Sequence, residues 1–185
     1  MNILFLMANG FEETEFVTPF DYWQRGGMNV ALASIGESIE VTGAHGLAIK
    51  TNVLLADLIA EGFLNQFDAI CLPGGGPGVK NLKASAMVAD VIKEFEESNK
   101  WIFAICAAPL VLSKAGILKN RKCTCFPGCE DELECKEFST DRVVVDGKII
   151  TSRGAGTAEE FAFECMAQAL DRETSEKIRN QVVAR

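Results

Sequence analysis

The segment at residues 101–115, WIFAICAAPLVLSKA, joins an apolar run to a helix-compatible stretch with no spacer between them. The run Trp101–Ile105 predicts a buried strand, and residues 107–115 predict the helix that follows. So tight a join forces its apex, Cys106, into strained backbone geometry with an outward-pointing side chain. The sulfur would then face the helix N-terminus, which favours thiolate over thiol. Two interpretations stay open: Cys106 is a nucleophile, or it is a small apolar residue that fills a strand end.

The rest of the chain alternates between strand patterns and helix patterns. Thr157 with Glu160 predicts a capping box at the start of the last long helix. Strands that alternate with helices indicate an α/β fold with a mostly parallel sheet and helices on both faces. The predicted strands cover residues 2–7, 28–34, 39–41, 47–50, 68–72, 101–105, 122–125 and a hairpin at 143–151, and the predicted helices cover 11–23, 54–64, 86–98, 107–115, 157–170 and 173–182.

The composition is ordinary for a soluble globular protein. Of the 185 residues, 48% are hydrophobic and 24% are charged, and this length predicts one domain over residues 1–185. The net charge of −8 argues against a nucleic-acid partner. No apolar run approaches the ~20 residues of a membrane span, and no signal peptide is recognisable. Seven cysteines without an export signal predict a reducing, cytoplasmic environment.

Four loops, each after a predicted strand, carry the candidate functional residues. They are the turn at Asn9, the glycine loop PGGGPG at residues 73–78, the elbow at Cys106 and the loop at Arg153. Ligands bind at the carboxyl ends of the strands in parallel sheets, so these loops are predicted to converge on one site. The glycine loop allows close backbone approach to a ligand, although by itself it also fits a flexible turn. It matches neither a Walker A loop nor a GxGxxG fingerprint.

Taken together, these motifs resemble the ThiJ/PfpI superfamily, and within it the DJ-one-like branch. The resemblance runs over nearly the whole chain. It rests on ANGFEETE at residues 8–15, LPGG at residues 72–75, AICAAP at residues 104–109 and TSRGAGT at residues 151–157. It implies a flavodoxin-like, three-layer α/β/α sandwich of the class I glutamine amidotransferase type, which is usually a homodimer.

The resemblance also implies a role for individual residues. Cys106 would be the nucleophile, and Glu15 would place its carboxyl group against the sulfur. A protonated carboxylic acid can donate a hydrogen bond to a thiolate, although Glu15 taken alone also fits the acidic first turn of a helix. The backbone N–H groups of Gly75 and Ala107 would form an oxyanion hole. The substrate pocket implied by the same motifs contains Asn9, Gly74, Phe126 and Arg153.

The sequence departs from the family pattern at one position. Many members carry a histidine beside the cysteine, after the strand that ends here at Cys125, and this chain has Phe126 there. A Cys–His proteolytic dyad is therefore not expected. The single histidine of the chain is His45. The resemblance places its segment near the dimer interface, so His45 either approaches a partner's site or is an ordinary surface-loop residue.

A cluster of thiols raises the question of a structural metal. Soft metals such as zinc bind thiolates, but this spacing contains no CxxC pair and no neighbouring histidine, so no metal is expected. Cys71 and Cys165 lie on apolar faces and are predicted to be inert core thiols. The clustered thiols are Cys123, Cys125, Cys129 and Cys135.

Two functions fit the same residues. The leading hypothesis is a glyoxalase-like or deglycase-like enzyme, independent of glutathione and cofactors, that acts on small reactive carbonyl substrates through Cys106 and Glu15. The alternative is a redox-sensing stress-response protein or chaperone in which Cys106 is oxidised to a sulfinate. An amidase or protease role, suggested by the family name, has no support in these residues. In either case Cys106 is predicted to have a pKa below the ~8.5 of a free cysteine.

Overall fold

The structure is a computed structural model that describes residues 1–184. Strands and helices alternate along most of the chain, as the sequence predicts. The strands are β1 (Asn2–Met7), β2 (Asn29–Ser34), β3 (Glu40–Thr42), β4 (Ala48–Lys50), β5 (Val53–Leu54), β6 (Ala69–Leu72), β7 (Trp101–Ile105), β8 (Lys122–Cys123), β9 (Glu137–Phe138), β10 (Val143–Asp146) and β11 (Ile149–Ser152). The helices are α1 (Glu13–Arg25), α2 (Leu55–Ala60), α3 (Gly76–Ala84), α4 (Ala86–Glu97), α5 (Pro109–Lys114), α6 (Ala158–Ala169) and α7 (Arg172–Gln181), and short 3-10 turns lie at Phe63–Gln66, Glu130–Glu132 and Ala155–Thr157.

A mostly parallel sheet forms the centre of the fold. Within residues 1–184 it has seven strands in the order β10-β11-β7-β6-β1-β2-β5. Only the edge strand β10 runs antiparallel to its neighbour there, because it belongs to the predicted hairpin with β11. The carboxyl ends of β1, β6, β7 and β11 consequently lie along one edge of the sheet, where the predicted functional loops begin.

Alternate residues of the central strands face two hydrophobic cores on opposite sides of the sheet. In β1, Leu4 and Leu6 pack on the side of α2, α3, α4 and α5, whereas Ile3, Phe5 and Met7 pack on the side of α1, α6 and α7. This alternation is the period of two expected for a strand that is buried on both faces. The protein is therefore a three-layer α/β/α sandwich, which confirms the predicted fold class.

The chain between the glycine loop and α4 differs from the prediction. Residues Gly76–Ala84 form α3, whereas the sequence pattern predicts a loop at residues 73–78 and no helix between that loop and residue 86. Glycine has a low helix propensity, so the local pattern hides this helix. Pro77 lies in its first turn, where the fixed φ of proline suits a helix. Val79 and Leu82 are buried in the core, and this tertiary packing stabilises the helix.

The segment at residues 122–125 also differs from the prediction. It does not join the central sheet as a four-residue strand; instead Lys122 and Cys123 pair with Glu137 and Phe138 in a separate parallel pair, β8–β9. The backbone N–H of Thr124 already donates to a side chain, which takes it out of the strand ladder. The chain after Cys123 is consequently free to turn towards the elbow.

The capping box predicted at Thr157 and Glu160 is wrong. The Thr157 hydroxyl donates to the carbonyl of Gly154 at 2.8 Å rather than capping α6. The carboxylate of Glu160 forms an ion pair with Arg142 at 2.7 Å. The cation of Arg142, the residue before β10, thus competes successfully with a local backbone contact. None of the helices within residues 1–184 has both the length and the apolar character required to cross a membrane.

Candidate active site

Cys106 lies at the apex of the turn between β7 and α5. Its φ of +66° is left-handed, which is uncommon for a residue other than glycine, and this agrees with the strained elbow predicted from the sequence. Its N–H donates to the carbonyl of Ser152 at 2.9 Å, and its carbonyl accepts from the N–H of Phe126 at 2.7 Å. These bonds hold the strained residue from both sides. Because α5 begins only at Pro109 and has 6 residues, the expected effect of a helix dipole is small, and nearby amides take its place.

Backbone amides and one carboxyl group surround the Cys106 sulfur. The N–H groups of Ala107 and Gly75 form hydrogen bonds to it, and the side chain of Glu15 shares another. Gly75 has a φ of +93°, and a side chain there would collide with the neighbouring backbone. A Cβ atom on Gly74 would lie 2.6 Å from the Cβ of Cys106. Glycine is therefore required at both positions, because the loop passes directly over the sulfur.

Glu15 reaches the sulfur from the first turn of α1 and is only 1% exposed. Its Oε2 accepts the N–H of Gly74 at 2.9 Å. Burial raises the pKa of Glu15 to about 7, and the charge of Glu12 adds to the rise, whereas hydrogen bonds with Cys106, Gly74 and Ala155 oppose it. Glu15 therefore keeps its proton to a much higher pH than an exposed glutamate.

The pKa of the Cys106 thiol is raised rather than lowered. Burial is its largest cause, the charge and hydrogen bond of ionised Glu15 add to it, and the N–H groups of Ala107 and Gly75 oppose it. The sequence predicts a lowered pKa, because the depth of the sulfur cannot be read from residues 101–115. The contribution of Glu15 changes sign once its carboxyl is protonated, because it then donates to the sulfur. The two groups therefore titrate as one coupled pair.

Phe126 lies beside this pair. A Cβ atom placed on Gly154 would be 3.3 Å from the Phe126 ring and 3.9 Å from Oε1 of Glu15, so the ring and the carboxyl flank the same glycine. The Phe126 side chain remains 47% exposed. Arg153 is half-buried, and its charge opposes the rise that burial causes in the pKa of Cys125. Phe126 thus forms an apolar wall at the place where the resemblance expects a histidine.

Asn9 forms its hydrogen bonds outside the cysteine site. Its side-chain oxygen accepts the N–H of Thr42 at 2.9 Å, and its carbonyl accepts from the amide of Asn81 at 3.0 Å. With Ser34 and Gly36 it lines a cavity of about 460 Å³ beyond the ends of β1 and β2. Asn9 therefore connects strand β3 with helix α3 through these two hydrogen bonds.

His45 forms an ion pair at the start of α1. Its Nδ1 lies 2.7 Å from Oε2 of Glu13 and 3.5 Å from Oε2 of Glu12. The hydrogen bond and charge of Glu13 raise the pKa of His45. Within the described residues, these three side chains could share an ion, whereas the four clustered cysteines do not bring three ligand atoms close enough together. The ion pair accounts for the Glu–His group without a metal.

Two contacts of the site were missed by the sequence analysis. The carbonyl of Ser152 holds the Cys106 backbone, and the N–H of Ala155 bonds to Glu15. Both groups belong to the backbone, so no residue type signals them. The available clue is the position of residues 151–157 directly after a predicted strand.

Comparison with known proteins places these features in a family. The chain is 35% identical over 185 residues to Protein DJ-1 homolog B of Arabidopsis thaliana, covering 99% of this chain and 41% of that protein, so it spans about two fifths of that relative. It is 33% identical over 177 residues to Protein dj-1beta of Drosophila melanogaster, covering 95% and 92%. It is 32% identical over 155 residues to Deglycase PH1704 of Pyrococcus horikoshii, covering 83% and 90%.

Solved structures agree with these relatives. The structure of oxidised Toxoplasma gondii DJ-1 superposes with a TM-score of 0.92 at 31% identity, covering 99% of this chain and 98% of that one. Drosophila melanogaster DJ-1beta superposes with a TM-score of 0.92 at 30% identity, covering 100% and 98%. The model of the DJ-1/PfpI family matches residues 1–168, a range that contains the sheet, the elbow and Glu15. The chain belongs to the DJ-1/PfpI family.

Proposed function

We propose that this chain is a cysteine-dependent enzyme that converts small 2-oxoaldehydes into 2-hydroxy acids without glutathione, metal or organic cofactor. The proposal rests chiefly on one observation: a buried carboxyl with a pKa raised to about 7 shares a hydrogen bond with the Cys106 thiol. Such a group can give up and take back a proton near neutral pH. The name of the Pyrococcus relative, Deglycase PH1704, points to related carbonyl chemistry.

The reaction begins with Cys106 as nucleophile. Its thiolate adds to the aldehyde carbon and forms a C–S bond, and the carbonyl oxygen takes a proton to give a hemithioacetal. The N–H groups of Gly75 and Ala107 already point at the sulfur, so they are placed to stabilise the oxyanion on the adjacent carbon. Glu15 supplies that proton and is left ionised, so it can act as the base in the next step.

Glu15 then moves protons within the bound substrate. It removes the hydrogen from the carbon bonded to sulfur and returns a proton to the neighbouring carbon, through an enediol. The product of this step is a thioester of Cys106, and water hydrolyses it to the 2-hydroxy acid and the free thiol. The overall change adds one water to the 2-oxoaldehyde and needs no oxidant or reductant.

A hydrolase with a Cys–His dyad is the weaker alternative, because Phe126 stands where the family histidine is expected. An amidase or protease needs a group that protonates the leaving amine, and the phenyl ring has no proton to give. The exposed ring instead offers an apolar surface beside Glu15 to the substrate's side chain. Gly74 and Arg153 complete the proposed pocket, and Asn9 braces its outer side.

The direct test is turnover of methylglyoxal by purified protein in buffer without glutathione, with lactate as the measured product. Wild type is expected to form lactate, and Cys106→Ser is expected to form none. Glu15→Gln should lose about a hundredfold or more in kcat because an amide cannot carry the proton. Cys165→Ser, which changes a buried thiol outside the site, is the matched control. Absence of lactate from wild type, or turnover by Cys106→Ser, contradicts the proposal.

A second function is favoured by the donors around the sulfur. The N–H groups of Gly75 and Ala107 and a protonated Glu15 could hold the oxygens of a Cys106 sulfinate. A related solved structure, that of Toxoplasma gondii DJ-1, is described as oxidised. Intact mass and peptide mapping after mild peroxide treatment test this role. Two oxygens added selectively to Cys106, in protein that does not turn over methylglyoxal, would favour the sensor.

A further inference from the structure

A second pair of cysteines lies outside the site, at the base of the loop between β8 and β9. Cys123 ends β8 and has no exposed surface, whereas Cys135, shortly before β9, is partly exposed. Both side chains pack against the same hydrophobic core. Their thiols share a hydrogen bond. The two sulfur atoms are thus neighbours although eleven residues separate them in the sequence.

Backbone hydrogen bonds anchor both ends of this loop. The carbonyl of Cys123 accepts the N–H of Ser139 at 2.9 Å. On either side of Cys135, the N–H of Glu134 donates to the Ser113 hydroxyl at 2.8 Å, and the N–H of Lys136 donates to a backbone carbonyl at 3.0 Å. The loop therefore begins and ends at positions that the core and these bonds hold side by side.

We propose that Cys123 and Cys135 are a redox-active pair that forms a disulfide across the base of this loop. A peroxide supplies the oxidising equivalents. The thiolate of Cys135, the more accessible of the two, attacks the peroxide: an S–O bond forms, the O–O bond breaks, and water or an alcohol leaves. The sulfur of Cys123 then displaces the sulfenic oxygen as water. Two thiols lose two electrons and two protons, and one peroxide is reduced.

The disulfide would act on the neighbouring active site through the loop it closes. The loop contains Phe126, whose N–H holds the Cys106 carbonyl and whose ring flanks Glu15. Closing the ring from Cys123 to Cys135 restrains the path of this segment. Oxidation of the pair thus changes how freely Phe126 moves over the sulfur, whatever reaction Cys106 performs. The inference is independent of the proposed carbonyl chemistry.

The remaining two loop thiols define the competing outcome. The Cys125 thiol donates a hydrogen bond to the carbonyl of Phe126 at 3.4 Å. Cys129 is close enough to raise the pKa of Cys125. A Cys125–Cys129 disulfide is therefore the alternative product of oxidation. The two pairings give different products after digestion. Cleavage after Glu130 and Glu132 places Cys135 on a different fragment from the other three thiols, so a link to Cys135 joins two fragments.

The test is disulfide mapping of the full chain in the Cys106→Ser background, which removes the competing reactive thiol. The reduced protein is treated with stoichiometric hydrogen peroxide, blocked with N-ethylmaleimide, and digested with trypsin and then with a protease that cleaves after glutamate. The expected product is a fragment starting at Cys123 joined to the fragment that contains Cys135, with the mass of two hydrogens lost. Dithiothreitol should restore both thiols.

Serine variants assign the link. Cys135→Ser and Cys123→Ser should abolish the joined fragment, whereas Cys125→Ser and Cys129→Ser should retain it. If Cys123→Ser does not fold, Cys135→Ser, at a partly exposed position, carries the same test. A link between Cys125 and Cys129, a link between two chains, or four free thiols after oxidant is consumed would overturn the proposal. As a second readout, the oxidised form should be cut more slowly by protease within residues 124–134 than the reduced form.

Discussion

The Glu15 and Cys106 side chains share one buried hydrogen bond, and this pair controls the chemistry of the site. Burial penalises the charged form of both groups, so it raises the pKa at which the pair loses its first proton. The two groups then share one negative charge. The N–H groups of Gly75 and Ala107 stabilise that charge when it lies on sulfur. A protonated Glu15 adds a third donor, so the thiolate depends on Glu15.

The first prediction concerns the reactivity of Cys106. Glu15→Leu removes the carboxyl donor, so only the N–H groups of Gly75 and Ala107 then oppose the effect of burial on the thiolate. Iodoacetamide labelling at neutral pH should therefore slow about tenfold, equivalent to about one pKa unit. Glu15→Gln retains an N–H donor and should fall between Glu15→Leu and wild type. The measurement is the pH dependence of labelling, read for each cysteine by mass spectrometry.

Cys71 and Cys165 serve as internal controls in the same digests. Burial raises the pKa of both thiols well above its usual range, so both should label more slowly than Cys106 in folded wild type. Equal labelling rates of Cys106 and these core thiols would show that the assignment of the active site to Cys106 is wrong. So would a labelling rate of Cys106 that is unchanged in Glu15→Leu.

The second prediction concerns stability. The pKa of Glu15 is about 7 in the folded chain and about 4.3 when unfolded, so its protonated form stabilises the fold at low pH, and this stabilisation is lost as pH rises through 7. Glu15→Gln, compared in a Cys106→Ser background, should therefore gain up to about 3 kcal/mol of unfolding free energy relative to its parent between about pH 4 and about pH 8. Urea denaturation at several pH values measures the gain. A difference that is constant with pH would contradict the assignment.

Among the elements, α1 connects the site to one of the two cores. Trp23 is fully buried on this helix, and its indole N–H donates to the carbonyl of Ala162 in α6 at 2.9 Å. Its ring lies 5.5 Å from the ring of Phe5 in β1 and 5.6 Å from that of Phe103 in β7. These contacts fix α1 on the sheet, and α1 in turn positions Glu15.

The third prediction belongs to this helix. Trp23→Ala should cost about 3 to 5 kcal/mol of unfolding free energy because it leaves a large cavity between two layers. The exposed neighbour Gln24 provides the control, since Gln24→Ala should change stability by less than about 0.5 kcal/mol. Guanidinium denaturation followed by circular dichroism measures both. Equal effects of the two substitutions would mean that α1 is not anchored through Trp23.

At the scale of the whole molecule, two exposed apolar residues bear on its assembly. Val17 of α1 is 43% exposed and Leu47 is 44% exposed, and Leu47 belongs to the loop that the Glu13–His45 contact holds to α1. Contiguous patches of exposed apolar side chains are typical of surfaces that associate. The family resemblance likewise implies a homodimer.

The fourth prediction is a homodimer at micromolar concentration. Light scattering coupled to size-exclusion chromatography should give twice the mass of one chain. Leu47→Asp should shift the protein towards monomer because it buries an unpaired charge in the interface. Phe63→Asp, at a similarly exposed apolar residue on another part of the surface, should leave the dimer intact. A monomeric wild type would contradict the prediction.

At this scale, the elements that sequence patterns describe well are those whose signals are local. The apolar run Trp101–Ile105, the period of two in β1 and the hairpin at residues 143–151 all predict structure that the chain adopts. Helix α3 was missed because its glycines have low helix propensity, and packing of Val79 and Leu82 overrides that propensity. The capping box was wrong because Arg142, distant in sequence, takes the carboxylate of Glu160.

The sequence by itself determined the α/β architecture and the elbow at Cys106, because periodicity and turn geometry depend on residues a few positions apart. Only the tertiary structure decided what surrounds the sulfur. The meeting of Glu15, Gly75 and Cys106 follows from the order of β1, β6 and β7 in the sheet, and the raised pKa of the thiol follows from the layers packed over it. Burial and long-range contact are properties of the whole fold, so no local pattern encodes them.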